Sequence, residues 1–435
     1  MKKKIIFILT IFLVFIFYSQ NSLQVYDFEQ IKNISVENNL TLKNYENQMN
    51  LAKLSYDQAV ANLYLPSISV SSSTNIPFDP TKSLSSSVNL NISKSIFNGF
   101  ALRKVKDLAY LNYQYKKSLY ENQILQTKYL AFKYYYQYLS KILQEKLYFE
   151  ILRINEKRLK EYKVKYDLGL ITELDFTSLA LTFSKVQVSY ENAKNDMELS
   201  YLQLKNFANI EGDFEIIEQK SIDKIDFSLL FENEKLDLSN LKAVNLLSSA
   251  KKYDANYLNS LYQYYQSEVN LKYYLASLFP SLSSAFGISY SGLIKDNSLN
   301  FNDPSLSFSL SISLDLDSLF GFSSKGIEKK VLKQEYENAK LNLLKAENDL
   351  LLSLETSFSN LILSQKNKEN AENTYNYASK GYNLAIDAFN LGQISASSFA
   401  SWEEEYVNAK ITLYSSILSY VLNVKSIELM TGNFE

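Results

Sequence analysis

Residues Ser305–Asp317 read Ser-Leu-Ser-Phe-Ser-Leu-Ser-Ile-Ser-Leu-Asp-Leu-Asp. Leu306, Phe308, Leu310, Ile312, Leu314 and Leu316 take every even position, and Ser or Asp takes every odd one. A strand turns successive side chains to opposite faces, so this stretch has one apolar face and one polar face. About ten tilted residues of this kind cross the hydrocarbon layer of a membrane. An edge strand of a soluble sheet also alternates, though seldom with so uninterrupted an apolar face. The rest of the chain decides between the two.

Three further stretches alternate. Ser67–Ser73 does so briefly, with Ile68 and Val70 on one face. Ser87–Phe97 does so through Val88, Leu90, Ile92 and Ile96, interrupted only by Lys94. The fourth strand is predicted near Ser281–Tyr290. All five prolines lie beside these stretches, Pro66, Pro77 and Pro80 in one block and Pro280 and Pro304 in the other. Proline breaks helix interiors, so its absence elsewhere permits very long helices. Ala101–Leu168 contains neither Pro nor Gly, and as one helix it would be about 100 Å long. Gly169 ends that run, and Glu173–Asn209 is predicted to return as a second helix. A first helix is predicted over Asp27–Leu63. The later half repeats the plan, with helices over Leu236–Leu278, Ser324–Leu391 and Ser395–Leu429. Tyr336, Ala339, Leu343, Ala346 and Leu350 are spaced by threes and fours, as are Tyr406, Ala409, Leu413, Ser416, Tyr420, Asn423 and Ile427. Such narrow seams, with Ala and Ser among them, suit close helix-on-helix packing.

The landmarks themselves recur. Leu65-Pro66-Ser67 returns as Phe279-Pro280-Ser281, and Phe97-Asn98-Gly99-Phe100 as Leu319-Phe320-Gly321-Phe322. Asp167-Leu168-Gly169-Leu170-Ile171-Thr172 returns as Asn390-Leu391-Gly392-Gln393-Ile394-Ser395, and Ile210-Glu211-Gly212 as Met430-Thr431-Gly432. Four markers in one order, each roughly 220 residues from its partner, indicate an internal duplication. The domain plan is therefore a first repeat over 23–212, an irregular charged connector over 213–235 and a second repeat over 236–432. Gly169, Gly212, Gly392 and Gly432 each follow a helical pattern, where a left-handed cap is expected. Gly381 alone falls inside one.

Residues 1–22 have the layout of a secretory signal. Lys2, Lys3 and Lys4 precede an apolar run from Ile5 to Tyr18 that is short for a membrane span. An uncleaved anchor is the other reading. Export is expected, with the cleavage site only near residue 20. The formal net charge is −2, and −5 once those three lysines are removed. A mildly acidic exported chain is a poor match for nucleic acid. With no Cys and no His, the chain has no disulfide, no thiolate and no imidazole base or ligand. No nucleotide loop and no convergent polar constellation stand out, so no enzyme and no cofactor is expected.

Four strands with one greasy face cannot stay open in lipid, because unpaired edges cost several kcal/mol per exposed group. Four strands are too few to close alone. Two chains would give eight strands and a filled interior; three would give twelve and room for a channel lined by Ser, Asn and Asp. The long helices carry recurrent charges such as Lys104, Lys128, Glu145 and Arg153, and so belong in water.

At this point the chain resembles the TolC family of outer-membrane efflux ducts. The resemblance rests on the duplicated plan, on Leu-Pro-Ser opening a strand, and on Phe-Asn-Gly-Phe after a second strand. It rests also on the turn that holds Tyr166, Gly169, Ile171 and Thr172 in one copy and Phe389, Gly392, Ile394 and Ser395 in the other. The resemblance implies a mainly α fold with a transmembrane β-barrel: a long antiparallel α-helical barrel plus four strands per chain, twelve in a homotrimer. It implies a place in the cell outer membrane, in contact with its lipid and extending into the periplasm. It also implies a periplasmic adaptor (membrane fusion) protein and an inner-membrane transporter, of RND, ABC or MFS class, as partners.

The same resemblance assigns sites. Leu168, Gly169, Leu170, Ile171 and Thr172, with Leu391, Gly392, Gln393, Ile394 and Ser395, become the periplasmic tips that meet the adaptor. Plain glycine-capped turns are the bland alternative, but apolar Leu170 and Ile171 suit partner contact better than solvation. Asp175 matches an aspartate that ties helices together at the periplasmic mouth. Ser398 and Ser401 stand where acids often occur, so the mouth's charged pattern is incomplete. Glu405, one heptad beyond Ser398, is a candidate for an acidic ring; a solvated face formed by Glu403, Glu404 and Glu405 is the other reading. Leu306, Phe308, Leu310, Ile312, Leu314 and Leu316 are expected to face lipid. Phe97, Phe100, Phe320 and Phe322 stand at the strand-to-helix joints, where aromatic rings favour the membrane–water interface. Tyr134, Tyr135, Tyr136 and Tyr138 point in different directions on a helix and are expected to pack a core.

The sequence thus reads as a passive outer-membrane exit duct for a tripartite efflux pump or a type I secretion system. The alternative is an exported coiled-coil scaffold or adhesin whose strands pair outside any membrane.

Overall fold

The computed structural model describes residues 24–76, 84–218, 227, 229–231, 243–274, 279–295, 298–301, 303–314, 317 and 322–434. The signal segment, Pro77, Pro80, Leu316, Phe320, Gly321, much of the connector and both ends of the helix expected over 236–278 lie outside them. The described elements in chain order are β1 (Gln24–Tyr26), α1 (Phe28–Asn38), α2 (Leu40–Tyr64), β2 (Ser67–Asn75), β3 (Leu84–Asn98), α3 (Ala101–Asp167) and α4 (Glu173–Ala208). Then come β4 (Phe214–Ile216), a short 3-10 turn (Leu229–Phe231), α5 (Ala243–Ala250), α6 (Ala255–Tyr274), β5 (Ser281–Lys295), β6 (Ser298–Phe301), β7 (Ser305–Ser313), α7 (Ser324–Asn390) and α8 (Ala396–Thr431). Helix dominates, and α3 and α7 are each 67 residues long.

The chain forms two compact units. One comprises 1–43, 124–246 and 354–435; the other comprises 44–123 and 247–353. Each unit draws on both sequence repeats.

Two expected helices are broken. The run predicted as one helix over Asp27–Leu63 splits at Asn39, whose backbone is extended (ψ 121°). Its carboxamide accounts for the break. Asn39 Oδ1 accepts the Leu42 N–H at 3.0 Å, capping α2, and its Nδ2 donates to the Phe207 carbonyl at 3.0 Å. The second-repeat helix likewise divides into α5 and α6, with Asp254 Oδ1 accepting the Tyr257 N–H at 2.6 Å. Asn122 Nδ2 donates to the Tyr253 carbonyl at that break. A short polar side chain satisfies free helix-end donors, so it can end one helix and start another without proline. One cap also differs from expectation. Helix α4 ends on Asn209, itself left-handed (φ 50°), rather than on Gly212, which turns three residues later.

The first unit is held by a continuous apolar core. Ile31 of α1, Phe132, Tyr135 and Leu139 of α3, Leu204 of α4, Leu361 of α7 and Ile417 and Val421 of α8 meet there, fully or almost fully buried. Each such side chain contributes about 1.5–3 kcal/mol on leaving water. The two-stranded parallel ribbon of β1 and β4, not anticipated from sequence, adds Phe214 and Ile216 to this core. Within the tyrosine run, Tyr135 and Tyr138 are buried, and Tyr134 and Tyr136 pack against them at the margin.

The second unit leans on tyrosines. Tyr115 and Tyr262 stack at 4.8 Å, Tyr264 and Tyr336 share a hydroxyl contact at 2.9 Å, and Tyr273 donates to Asp107 at 2.5 Å. Burial first, and then that bond to Asp107, push the Tyr273 phenol up to about 12. Lys251 and Glu347 pair at 2.7 Å.

The same unit carries the sheet. Its strands run β2-β3-β5, all antiparallel, and both β6 and β7 pair with β5. The opposed pairs Gly292 with Phe301 and Ser289 with Ser305 show that β6 and β7 follow one another along β5 with a slip of one residue between them. Pro304 stands at that slip, where its missing N–H disturbs no ladder. The sheet therefore has four rungs, as expected, the fourth in two pieces. Strands β3 and β5 extend beyond the alternating stretches that announced them, to 15 residues each.

Candidate functional site

Two regions carry the sequence-derived assignments, and each is described within its own unit. In the sheet, the registers bring like residues together across every strand. Ile68 opposes Ile92, which opposes Phe286, which opposes Phe308; Val70, Leu90, Ile288 and Leu306 form the next row. The neighbouring rows are polar: Ser69, Asn91, Gly287 and Ser307 in one, and Ser71, Asn89, Ser289 and Ser305 in another. Over these central rows one face is thus apolar on all four rungs and the other is serine and asparagine with one glycine. Leu306, Phe308, Leu310 and Ile312 are all exposed, Phe308 at 73%. Leu314 is exposed just past the end of β7. Hydroxyls bond across the polar face, Ser67 to Ser93 at 2.7 Å and Ser281 to Ser313 at 2.6 Å. Gly287 leaves room there for Ser307 Oγ, which a Cβ would meet at 2.8 Å and push aside. Among the described residues, β2 and β7 each pair on one side only.

Lys94, the single break in the apolar pattern of β3, has a local cause. Its Nζ donates to the carbonyls of Leu63 at 2.8 Å, Leu65 at 2.9 Å and Asn62 at 3.4 Å. These are unpaired carbonyls at the end of α2, and an ammonium group there also meets the negative end of the helix dipole. At the β3–α3 joint, Gly99 and Phe100 are both left-handed (φ 61° and 64°). The Phe100 ring meets Phe97 edge-on at 5.1 Å and Phe279 at 6.3 Å, and Arg103 lies over it at 5.3 Å. Phe322, the described member of the second-repeat pair, is exposed.

The two helical turns lie in the first unit and are built alike. After α3, Gly169 is left-handed (φ 68°), the Gly169 N–H donates to Tyr166 O at 2.8 Å, and the Leu170 N–H donates to Lys165 O at 2.8 Å. After α7, Gly392 (φ 70°) donates to Phe389 O at 3.0 Å and Gln393 to Ala388 O at 2.8 Å. This pair of bonds closes a helix on a left-handed glycine. The next helix is capped at once. Thr172 Oγ1 accepts the Asp175 N–H at 3.1 Å, and Ser395 Oγ accepts the Ser398 N–H at 3.2 Å. Aromatic pairs bracket both turns: Tyr166 stacks on Phe176 at 5.1 Å, and Phe389 on Phe399 at 4.9 Å. Phe176 and Phe399 occupy the same place after their glycines, a signal present in the duplication that the motif comparison did not use.

Apolar exposure divides the turn residues. Leu168, Leu170 and Leu391 are exposed, Leu170 at 70%. Ile171 is only partly exposed, and Ile394 packs beside Phe389, Ala396 and Phe399. Among the mouth residues, Asp175 Oδ2 accepts from Thr172 Oγ1 at 2.7 Å, and Ser401 Oγ donates to Ser397 O at 3.1 Å. Ser398 Oγ lies 3.0 Å from Ser395 Oγ, and Glu405 is exposed. The hydrogen bonds of Asp175, Ser398 and Ser401 are thus local to their own helix starts, while the Asp175 charge also reaches Tyr162 of α3.

Behind the turns is a buried polar cluster that the sequence reading missed. Glu403, grouped above with Glu404 and Glu405, is 2% exposed; its two neighbours are exposed, so the solvated-face reading fails for Glu403. Asn155 Nδ2 donates to Glu403 Oε2 at 2.6 Å, Tyr382 Oη donates to Oε1 at 3.3 Å, and Arg158 Nη1 stands 3.5 Å from Oε1. The Arg158 guanidinium covers the Phe399 ring at 4.2 Å. Burial, and then the Glu403 charge, raise the Tyr382 phenol, which keeps it a donor. Helices α3, α7 and α8 are therefore joined by one satisfied carboxylate. Gly381, deep inside α7, is explained nearby, since the Trp402 ring lies 2.3 Å from where its Cβ would stand.

Residues 33–209 match the family model described as outer membrane efflux protein. The solved structures similar over nearly the whole chain include outer-membrane channels. CusC has a TM-score of 0.72 at 14% identity, covering 95% of each chain. The Campylobacter jejuni CmeC outer membrane channel has 0.67 at 18%, covering 94% of this chain and 86% of its own. The Neisseria gonorrhoeae MtrE outer membrane channel in its open state has 0.65 at 15%, covering 94% and 89%. No curated protein matches the chain in sequence. The efflux-protein match thus covers the first repeat, and the chain as a whole has the fold of these channels, the fold that its resemblance to the TolC family implies. No described helix is long and apolar enough to cross a membrane, which bears on helices alone.

Proposed function

We propose that three copies of this chain form an outer-membrane exit duct that passes its cargo passively from the periplasm to the outside. The observation that carries this is the sheet. Its apolar face is exposed on every rung, its other face is serine and asparagine, and β2 and β7 are each open on one side. Lipid outside, water inside and pairing of β2 with β7 of the next copy would satisfy all three features together. The barrel would hold twelve strands, and Leu306, Phe308, Leu310 and Ile312 would face lipid. The scaffold or adhesin reading leaves the open edges and the apolar face without a partner.

In this reading the two glycine turns are the periplasmic tips. Leu168, Leu170 and Leu391 would contact the adaptor, and Asp175, Ser398, Ser401 and Glu405 would stand near the mouth. Energy would come from an inner-membrane transporter. Efflux of small molecules is favoured over type I protein secretion by the efflux-protein match. The test is single-channel recording of the detergent-extracted protein in a planar bilayer, with its mass measured in parallel. Discrete conductances from a trimer are expected. A species soluble without detergent, with no channel activity, would refute the duct.

A further inference from the structure

Helix α4 carries Leu174, Leu181, Val188, Asn195 and Leu202, each seven residues from the next and all exposed. Helix α7 carries Leu363, Asn370, Tyr377 and Leu384, with Leu391 just past its end, again at sevens and all exposed. Both stripes belong to the first unit. Other faces of these helices are already occupied. On α4, Phe176 and Tyr190 meet rings of α3; on α7, Tyr382 and Gly381 lie against Phe399 and Trp402 of α8. A heptad of large apolar side chains in water is an unpartnered coiled-coil seam.

We infer that these stripes pair with each other between copies: α4 of one chain lies antiparallel on α7 of the next, with Asn195 opposite Asn370. This rests on the self-assembly reading above and gives it a specific interface in the helical part. Any two heptads can be aligned. What selects the register is that each stripe is broken once, by an asparagine. With the asparagines opposed, Leu174 meets Leu391, Leu181 meets Leu384, Val188 meets Tyr377 and Leu202 meets Leu363, so both stripes end together. Two carboxamides can satisfy one another, and a polar seam position of this kind fixes register. The packing of α3 on α8 within the chain, Asn155 against Glu403, offers a rival. Carried over by the duplication, it would shift the seam by about one heptad and bury Asn195 against Leu363 and Asn370 against Val188. That leaves two amides unpaired, which disfavours it. In the chosen register Lys185 and Lys380 come alongside at the flank, where long stems carry both charges to water. The seam spans about 42 Å.

The absence of cysteine makes the test clean. The full-length protein would be made with Leu181→Cys and Leu384→Cys, and separately with Leu181→Cys and Tyr377→Cys, then oxidised in detergent. A short bis-thiol reagent would cover small misfits of disulfide geometry. Native mass under reducing conditions would be recorded for both. The in-register pair is expected to give several-fold more covalently linked multichain product. More product from the Tyr377 pair would overturn the asparagine register. A cross-link inside one chain, or no cross-link in either protein while the native mass stays multimeric, would overturn the seam, leave self-assembly standing and reserve these stripes for another partner. A single-chain native mass in the cysteine-free parent would instead refute the assembly itself.

Discussion

Burying a carboxylate costs several kcal/mol unless partners surround it, and Glu403 has three. Replacing Glu403 by Ala would strip the largely buried Arg158 of its counter-charge, leaving it the Asn155 Oδ1 bond at 3.2 Å, and should cost about 3–5 kcal/mol. Glu403→Gln keeps one acceptor and should cost about 1–3 kcal/mol. Thermal melting in detergent would rank them, and equal loss would argue against a specific network. The raised Tyr382 phenol has a definite sign. Its folded form prefers the proton, so its contribution is full below the ordinary phenol value and fades as pH rises through the folded one. Tyr382→Phe should therefore remove part of the alkaline loss of stability while leaving acid melting unchanged apart from a constant offset. Gly381→Ala should destabilise although alanine favours helix, because Trp402 occupies the space. Trp402 is the only tryptophan, so its fluorescence would report the displacement directly. Glu403 was legible in principle. It stands four residues after Phe399 and four before Val407, both buried, on the face that helical periodicity sends inward. The run of three acids concealed that spacing.

At the scale of elements, the long helices, the glycine turns and the four rungs were readable because each depends on local chemistry: proline placement, left-handed glycine and period-two alternation. The breaks at Asn39 and Asp254 were not, because a capped helix start looks like any polar residue until its backbone partner is known. The β1–β4 ribbon joins residues far apart in sequence and had no local signal at all. Lys94 looked like a defect in a strand, and its purpose is at the end of α2. Lys94→Met should cost about 1 kcal/mol through the freed carbonyls, measured by melting in detergent, without loss of assembly. For the turns, exposure directs the choice of substitution. Leu170→Asp and Leu391→Asp should weaken adaptor capture at least tenfold, Leu170→Asp at unchanged stability and Leu391→Asp with some loosening of the inter-chain seam that it ends. Ile394→Asp would instead disturb the packed cluster beneath the turn. Capture by the Leu170 and Leu391 variants equal to that of the parent would remove the turns from the adaptor interface.

For the whole molecule, the decisive feature is that alternation in one strand became a face shared by four. The even-numbered side chains of β2, β3, β5 and β7 align over the central rows, and the serines align behind them. A soluble sheet with such a face would need a cover, and a duct needs lipid there. The most direct test is a cysteine scan of positions 305–313 in the membrane-embedded protein, one thiol at a time. Lipid-dissolved quenchers should reach labels at 306, 308, 310 and 312, and a water-soluble maleimide should modify 305, 307, 309, 311 and 313. Equal water access at every position, or quenching at none, would contradict a membrane barrel.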